Sequence, residues 1–241
     1  SLNTNGALLA ERAGALCASG VDKVIVSVEP SAGAQAANRG IPFSAIHAGL
    51  AALRARKPRP EIALNCVITP RNWRELDGLP DAAAALGVSN VTLQHFMFSD
   101  RALIAAHRAF LADFGEPEAC YGNTIMDAGE IDAAALRKSL GGFDIAGFKP
   151  RIDPPVPVSR LRDYYASPKT RLPGHCLAPW TTAAILPDGG ISLCRPIRIG
   201  MAGRDRIRDV WNGEKARKFR RALLKQGLLP GCARCCSRRF T

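Results

Sequence analysis

The sequence predicts an α/β protein that begins with a parallel sheet and ends with a small cysteine-rich domain. Over the first 98 residues, compact apolar runs alternate with segments whose apolar residues recur at helical spacing. Five of the 8 cysteines lie in the last quarter of the chain. Alternating strands and helices predict a parallel sheet, either open or closed into a barrel, with ligands at the carboxyl ends of its strands.

The elements of the first part follow from periodicity and from glycine and proline breaks. Strands are predicted over 21–28, 62–69, 88–97 and 143–149. Helices are predicted over 7–19, 42–56, 72–86, 102–115 and 130–140. The proline-rich segment 150–157 predicts an extended connector.

The last part predicts a β-hairpin followed by helical structure. Residues 184–194 have an apolar–turn–apolar pattern, with Asp188 and Gly189 as the turn. Residues 207–225 predict a helix or a helix pair that leads to Cys232. The domains are therefore predicted as 1–149, a connector over 150–173 and a cysteine-rich domain over 174–241.

The cysteine pattern predicts a metal centre. Two separated thiols and a close pair can bring four thiolates together, and the predicted ligands are Cys176, Cys194, Cys232 and Cys235. The neighbouring Cys236 can replace Cys235. Four thiolates bind either zinc or an iron–sulfur cluster, and spacing alone leaves both open. Disulfides are disfavoured, because 241 residues can bury a core without them.

Charge and hydropathy narrow the class of partners. The net charge is +12, but aromatic residues make up only 6% and do not alternate with basic ones, which disfavours nucleic acid as a partner. An anionic substrate or an acidic protein partner remains open. No apolar run has the length of a membrane span, and no signal peptide is visible, so we expect a cytoplasmic protein.

Several short motifs resemble those of one family. Thr4-Asn-Gly6, Val26-Ser-Val-Glu29, Asn65-Cys-Val-Ile-Thr-Pro70 and Leu93-Gln-His95 resemble successive strand ends of radical SAM enzymes. The C-terminal motifs resemble a SPASM or shortened twitch auxiliary cluster domain: Cys176-x-x-Pro-Trp180, Ile185-x-Pro-Asp-Gly189, Asp209-Val-Trp-Asn212 and the terminal cysteines. The resemblance extends over nearly the whole chain.

This resemblance implies a partial (β/α) radical SAM barrel, from its third strand onward, followed by a SPASM-type domain. The implied cofactors are S-adenosyl-L-methionine and an auxiliary [4Fe-4S] cluster on the four cysteines. Ser27, Glu29, Arg39 and Asn65 match positions near SAM. In such enzymes, a reduced cluster donates an electron to SAM, and the resulting radical removes hydrogen from a substrate, here a peptide or small molecule. An electron donor protein is the implied partner.

The chain departs from the family at one central motif. No Cys-x3-Cys-x-x-Cys spacing occurs, and Cys17, Cys66 and Cys120 are isolated. We therefore expect a fragment that is inactive alone, with a second [4Fe-4S] cluster in a missing N-terminal region. The rivals are a zinc-stabilised basic binding module without enzymatic activity and a degenerate SAM-binding or electron-relay protein.

Residues outside these motifs have simpler predicted roles. Cys17 and Cys66 are predicted to be buried structural thiols, and His95 a core histidine. Trp180 and Trp211 are predicted to pack around the cysteine-rich domain and exclude water from it. Catalytic residues are not predicted.

Overall fold

Five parallel strands form one sheet, in the order in which they occur along the chain. The computed structural model describes residues 1–116, 125–126, 129–145, 147–194 and 196–240. The strands are β1 (Leu2–Thr4), β2 (Lys23–Ser27), β3 (Glu61–Val67), β4 (Val91–Gln94) and β5 (Arg151–Asp153). Every neighbouring pair is parallel, as the strand–helix alternation predicts.

Helices connect these strands, and all but the second overlap a predicted helix, with bounds that differ by a few residues. They are α1 (Leu9–Ala18), α2 (Ala32–Arg39), α3 (Phe43–Arg54), α4 (Leu79–Ala85) and α6 (Ala133–Ile145). A 3₁₀ helix, Trp73–Gly78, precedes α4 within the predicted helix 72–86. α5 (Arg101–Ala112) lies between β4 and α6 in the chain.

The two faces of the sheet differ in chemistry. One face is apolar and fully buried, as Val26, Leu64 and Leu93 show. The registers Ser27↔Asn65, Asn65↔Thr92 and Thr92↔Arg151 place polar residues side by side on the other face. Helices therefore have one face of the sheet to cover, and the half-buried polar face is left for another role.

The last predicted strand of this sheet is wrong. Phe143, placed in a strand over 143–149, lies in α6, and the strand of the sheet is β5 in the predicted connector. Phe143 follows Leu136 by two helical turns, and both are buried, so they share one face of α6. Asp153 precedes Pro154, which favours extended backbone at the end of β5.

α2 was not predicted, although its ends carry clear signals. The Ser31 hydroxyl accepts a hydrogen bond from the amide of Ala34, and Gly40 ends the helix in the left-handed region at φ 65. Between these caps the sequence is rich in alanine and has no regular apolar stripe. Periodicity alone therefore misses the helix, whereas its caps would have located it.

The described residues separate into two compact units that interleave along the chain. One comprises Ser1–Phe96 and Ile131–Asp153, and the other Met97–Glu130 and Pro154–Thr241. The predicted domain ranges remain predictions. None of the helices in the described residues has the combined length and apolar character that crossing a membrane requires.

The second unit contains the cysteine-rich segment and two small antiparallel sheets. One pairs β6 (Gly174–His175) with β10 (Arg239–Phe240), and the other orders β7 (Ala184–Ile185), β8 (Gly190–Cys194) and β9 (Ile197–Met201). The pairing of β7 with β8 confirms the predicted hairpin. The helices are α5, α7 (Leu161–Ala166), α8 (Ala178–Thr181), α9 (Ile207–Trp211) and α10 (Glu214–Gln226). The last two confirm a helix pair.

Candidate metal centre

The pairing of β6 with β10 brings the first cysteine to the last ones. Arg239 is registered with His175 and Phe240 with Gly174, so the residues just before Cys176 lie beside those just after Cys236. A two-residue strand pair is weak by itself. It is held in place by Phe240, which is buried and packs edge-on against Tyr164 at 5.6 Å between ring centroids.

Gly174 permits this close pairing. Its φ is +142, a conformation that side chains disfavour, and an added Cβ would collide with the backbone carbonyl of Arg239. The glycine two residues before Cys176 is therefore required by the approach of β10.

Cys194 and Cys232 meet through a shared hydrophobic core. Cys194 ends β8, and Cys232 ends a short 3₁₀ helix, Pro230–Cys232. Both pack against one cluster of buried residues: Leu111, Phe114, Leu193, Ile197, Ala216, Phe219, Leu223 and Leu229. Burial of this cluster drives the two cysteine-bearing segments together.

A turn places Cys235 next to Cys232. The amide of Cys235 donates to the carbonyl of Cys232 at 3.3 Å, and the amide of Ser237 donates to the Cys235 sulfur at 3.5 Å. Amide donors to sulfur stabilise a thiolate. A hydrogen bond with Cys236 also lowers the pKa of Cys235, against the opposing effect of burial.

Arg234 fixes the turn between these cysteines. Its side chain is 1% exposed, and its three nitrogens donate to five backbone carbonyls. The acceptors are Tyr164 at 2.7 Å, Thr170 at 3.1 Å, Ala233 at 2.9 Å, Asp163 at 3.1 Å and Ser167 at 2.6 Å. Three of these carbonyls belong to α7 or its C-terminal end, where carbonyls lack helical partners. The guanidinium thus joins the cysteine turn to α7.

Arg238 puts a second buried cation beside the thiols. It is 1% exposed and donates to the carbonyls of Ala233 at 3.0 Å and Leu172 at 2.7 Å. Within the described part of the chain, it forms no ion pair with a carboxylate, and its Nε has no hydrogen-bond partner. Burial lowers its pKa, whereas the thiols of Cys232, Cys235 and Cys176 act to raise it. A buried guanidinium needs a counter-charge, which a thiolate centre supplies.

The four predicted ligands are electrostatic neighbours. Burial raises the pKa of Cys232 to about 11, and Cys176 adds to that rise. Cys194 and Cys232 both act to raise the pKa of Cys235. These couplings link all four thiols, which are half-buried, and thiols in such a site ionise when a cationic metal centre compensates their charge.

The chemistry of the donors indicates the kind of centre that fits. Among the described residues, no group of three or more Cys, His, Asp or Glu side chains is already arranged around one metal ion. A four-iron cluster takes one thiolate on each of its irons. The donor set and the cationic surroundings fit such a cluster.

The predicted packing of the tryptophans is confirmed. Trp180 and Trp211 are half-buried against the same core cluster that contacts Cys194 and Cys232. Arg220 connects the helices that carry them, donating to the carbonyls of Pro179 at 2.8 Å and Trp211 at 2.7 Å. Its guanidinium also lies 4.7 Å from the Trp211 ring centroid. These contacts hold both tryptophans against the core that also contacts Cys194 and Cys232.

In the first unit, Glu29 and Arg39 are brought together as an ion pair. Glu29 is 4% exposed, and its Oε1 lies 2.8 Å from Nε of Arg39. Its Oε2 accepts hydrogen bonds from the side-chain amides of Asn72 at 2.7 Å and Asn38 at 3.4 Å. Both carboxylate oxygens therefore have partners within the protein.

Ser27 and Asn65 are also brought together, at the carboxyl ends of adjacent strands. Their Cα positions are registered, and both side chains are half-buried on the polar face of the sheet. Asn65 donates to the side-chain oxygen of Gln94 at 3.3 Å. This pair is more accessible than Glu29.

The isolated residues lie where they are predicted to lie. Cys17 and Cys66 are buried, and burial raises the pKa of Cys66. His95 is fully buried, and burial lowers its pKa to about 4. Cys120 lies outside the described residues.

Sequence reasoning missed Arg234 and Arg238 as parts of the centre. In the sequence they contribute only to the net charge. Each lies within three residues of a predicted thiolate ligand, and this position could have indicated their role, because hydrogen-bond donors usually surround the ligands of a metal site.

Comparison with known families identifies the class of this centre. Residues 176–236 match the family model of SPASM, an iron–sulfur cluster-binding domain. The match includes all five clustered cysteines and confirms the predicted C-terminal SPASM domain, which binds iron–sulfur clusters. It does not extend to the parallel sheet. No curated protein matches the chain significantly.

Proposed function

We propose that this chain is part of a radical SAM/SPASM enzyme and binds an auxiliary [4Fe-4S] cluster through Cys176, Cys194, Cys232 and Cys235. The observation that carries the proposal is the convergence of these thiols, by strand pairing, shared core and turn, within a matched SPASM domain. When bound, such a cluster accepts or donates a single electron.

The protein's own residues prepare this site for a negatively charged centre. Arg238 lies beside three of the thiols without a carboxylate partner in the described part of the chain, and Ser237 donates its amide to Cys235. Positive charge and N–H donors near the sulfurs stabilise the more reduced, more negative state.

The architecture of the sheet supports a partial radical SAM barrel. Its five parallel strands follow one another without a change of direction in strand order. A doubly wound sheet reverses its order, whereas a barrel does not. The polar face of the sheet then corresponds to the inside of the barrel, where a ligand can bind.

On this face, Ser27 and Asn65 are proposed to contact S-adenosyl-L-methionine. Their side chains are half-buried at the carboxyl ends of neighbouring strands, where ligands collect in parallel α/β folds. Glu29 and Arg39 are engaged with each other, so we propose that this pair holds the strand end in place. The substrate, proposed as a peptide or small molecule, and the electron donor protein follow from family analogy.

Calorimetric titration of the anaerobically purified chain with S-adenosyl-L-methionine tests this part of the proposal. Asn65→Ala and Ser27→Ala are each expected to weaken binding about 2- to 10-fold, the value of a net hydrogen bond. Asn90→Ala, an exposed change in the same sheet region, is the matched control and should leave the affinity unchanged. Equal affinities for all four proteins would refute a SAM site on this face.

A further inference from the structure

A large cavity lies within the second unit, beside the first cysteine of the centre. Its volume is about 980 Å³, and its wall includes Cys176, Trp180 and the segment that follows α10. Cavities of roughly 300–1,000 Å³ enclose small organic ligands. This cavity therefore has room for a ligand other than the iron–sulfur cluster and S-adenosyl-L-methionine.

Most of the wall is apolar. Leucines and prolines come to it from several elements: Leu103, Pro168, Leu177, Leu223, Leu228 and Leu229. Leu177 and Leu224, which also line it, are 56% and 71% exposed. An apolar ligand would remove these side chains from water, which favours binding through the hydrophobic effect.

Three cationic side chains line the cavity: Lys169, Arg171 and Arg238. No Asp or Glu lines it among the described residues. Lys169 has a carboxylate partner, with its Nζ 3.7 Å from Asp100. Arg171 has no ion pair or hydrogen bond within the described part of the chain, so its charge is available to a ligand.

Arg238 adds a cation that is already desolvated. It is 1% exposed, and its Nε has no hydrogen-bond partner among the described residues. Because Nε is also inaccessible to water, Arg238 contributes positive charge to the wall of the cavity and not a free donor. The exposed guanidinium that can contact a ligand directly is that of Arg171.

We propose that this cavity binds a small organic acid with an apolar body and a carboxylate. The apolar wall would contact the body, and Arg171 would bind the carboxylate through charge-assisted hydrogen bonds, with the buried charge of Arg238 in the same wall. The site requires neither the SAM-binding face nor cleavage of SAM, so it stands independently of the proposed enzymatic function.

Calorimetry on the chain with its metal centre intact tests this proposal, with decanoate as the probe below its aggregation concentration. Decanamide is the matched uncharged ligand. Arg171→Gln removes the exposed guanidinium, and Arg221→Gln removes a similar charge from an exposed position outside the cavity. Leu224→Asp and Leu224→Asn differ in charge alone at the exposed side of the cavity.

We expect decanoate to bind with a stoichiometry of one and at least about 10-fold tighter than decanamide. Arg171→Gln should weaken decanoate about 3- to 10-fold and leave decanamide unchanged. Leu224→Asp should weaken decanoate more than Leu224→Asn, and Arg221→Gln should have no effect. No saturable binding, equal binding of the two ligands, or an unchanged affinity in Arg171→Gln would each overturn the proposal. Iron content, measured on the same samples, separates these outcomes from loss of the metal centre.

Discussion

Replacing Arg234 by methionine tests whether this residue holds the cysteine turn. Methionine retains much of the apolar volume of the arginine stem but donates no hydrogen bonds. It would leave five backbone carbonyls without their present donor, among them those of Asp163, Tyr164 and Ser167 at the end of α7. The turn between Cys232 and Cys235 would lose its anchor.

The expected loss of stability in Arg234→Met follows from the number of hydrogen bonds that the substitution removes. Five hydrogen bonds at about 1 kcal/mol each set an upper limit of roughly 5 kcal/mol. Removing the charge also removes the cost of burying it, which offsets part of that loss. Burial lowers the pKa of Arg234 to about 10, the direction expected when a charged group is desolvated. We therefore expect Arg234→Met to lower the free energy of unfolding by about 3 kcal/mol.

Thermal unfolding of the anaerobically purified chain, followed by cluster absorption and by circular dichroism, measures this effect. For a domain of this size, about 3 kcal/mol corresponds to a decrease in Tm of roughly 6–12 °C. Arg234→Lys keeps the charge and up to three donors, so it should recover part of the loss. Arg221→Met, an exposed arginine on α10, is the control. A Tm of Arg234→Met within 1–2 °C of the unmodified chain would refute this role for the guanidinium.

Three further predictions concern the ligand set, the buried ion pair and acid stability. Cys235→Ala should abolish iron binding while Cys236→Ala retains it, because the Ser237 amide donates to the Cys235 sulfur and the Cys235 amide donates to the carbonyl of Cys232. Loss of iron in Cys236→Ala alone would reverse this assignment. Arg39→Met should lower the free energy of unfolding in urea by about 3 kcal/mol, because Glu29 would stay buried without its cation. The double variant with Glu29→Gln should regain much of this stability. Equal stability of the single and double variants would argue against the ion pair. Because the pKa of His95 is lowered in the folded protein, the imidazole takes up a proton at higher pH in the unfolded chain than in the folded one. The free energy of unfolding should therefore fall by about 2–3 kcal/mol between pH 7 and 4.5. His95→Gln should remove this fall, and identical pH profiles of the variant and the unmodified chain would contradict the prediction.

The sequence was sufficient to predict the three central strands, because β2, β3 and β4 lie in compact apolar runs. It missed β1 and β5, which have three residues each and no such run. Ile62, Leu64 and Cys66 alternate on the face that becomes buried in β3, and periodicity shows this directly. It failed at Phe143, where a short apolar run fits a strand or a buried helix equally well. Tertiary packing of α6 decides between them.

The cysteines could be predicted as a set, but the groups around them could not. Thiols have few other roles at such spacing, so Cys176 and Cys194 are informative even though they lie far apart in the sequence. Arginine has many roles, and the burial of Arg238 depends on the pairing of β10 with β6. The cavity beside Cys176 combines residues from distant segments, and no local pattern encodes it.

The account rests most directly on what the cysteine centre binds. The decisive measurement is iron, acid-labile sulfide and zinc per chain after anaerobic purification, for the unmodified chain and for Cys176→Ala and Cys232→Ala, with Cys17→Ala as a buried-cysteine control. We predict about four iron and four sulfide, lost in the first two variants and kept in the control. One tightly bound zinc without sulfide would contradict the account.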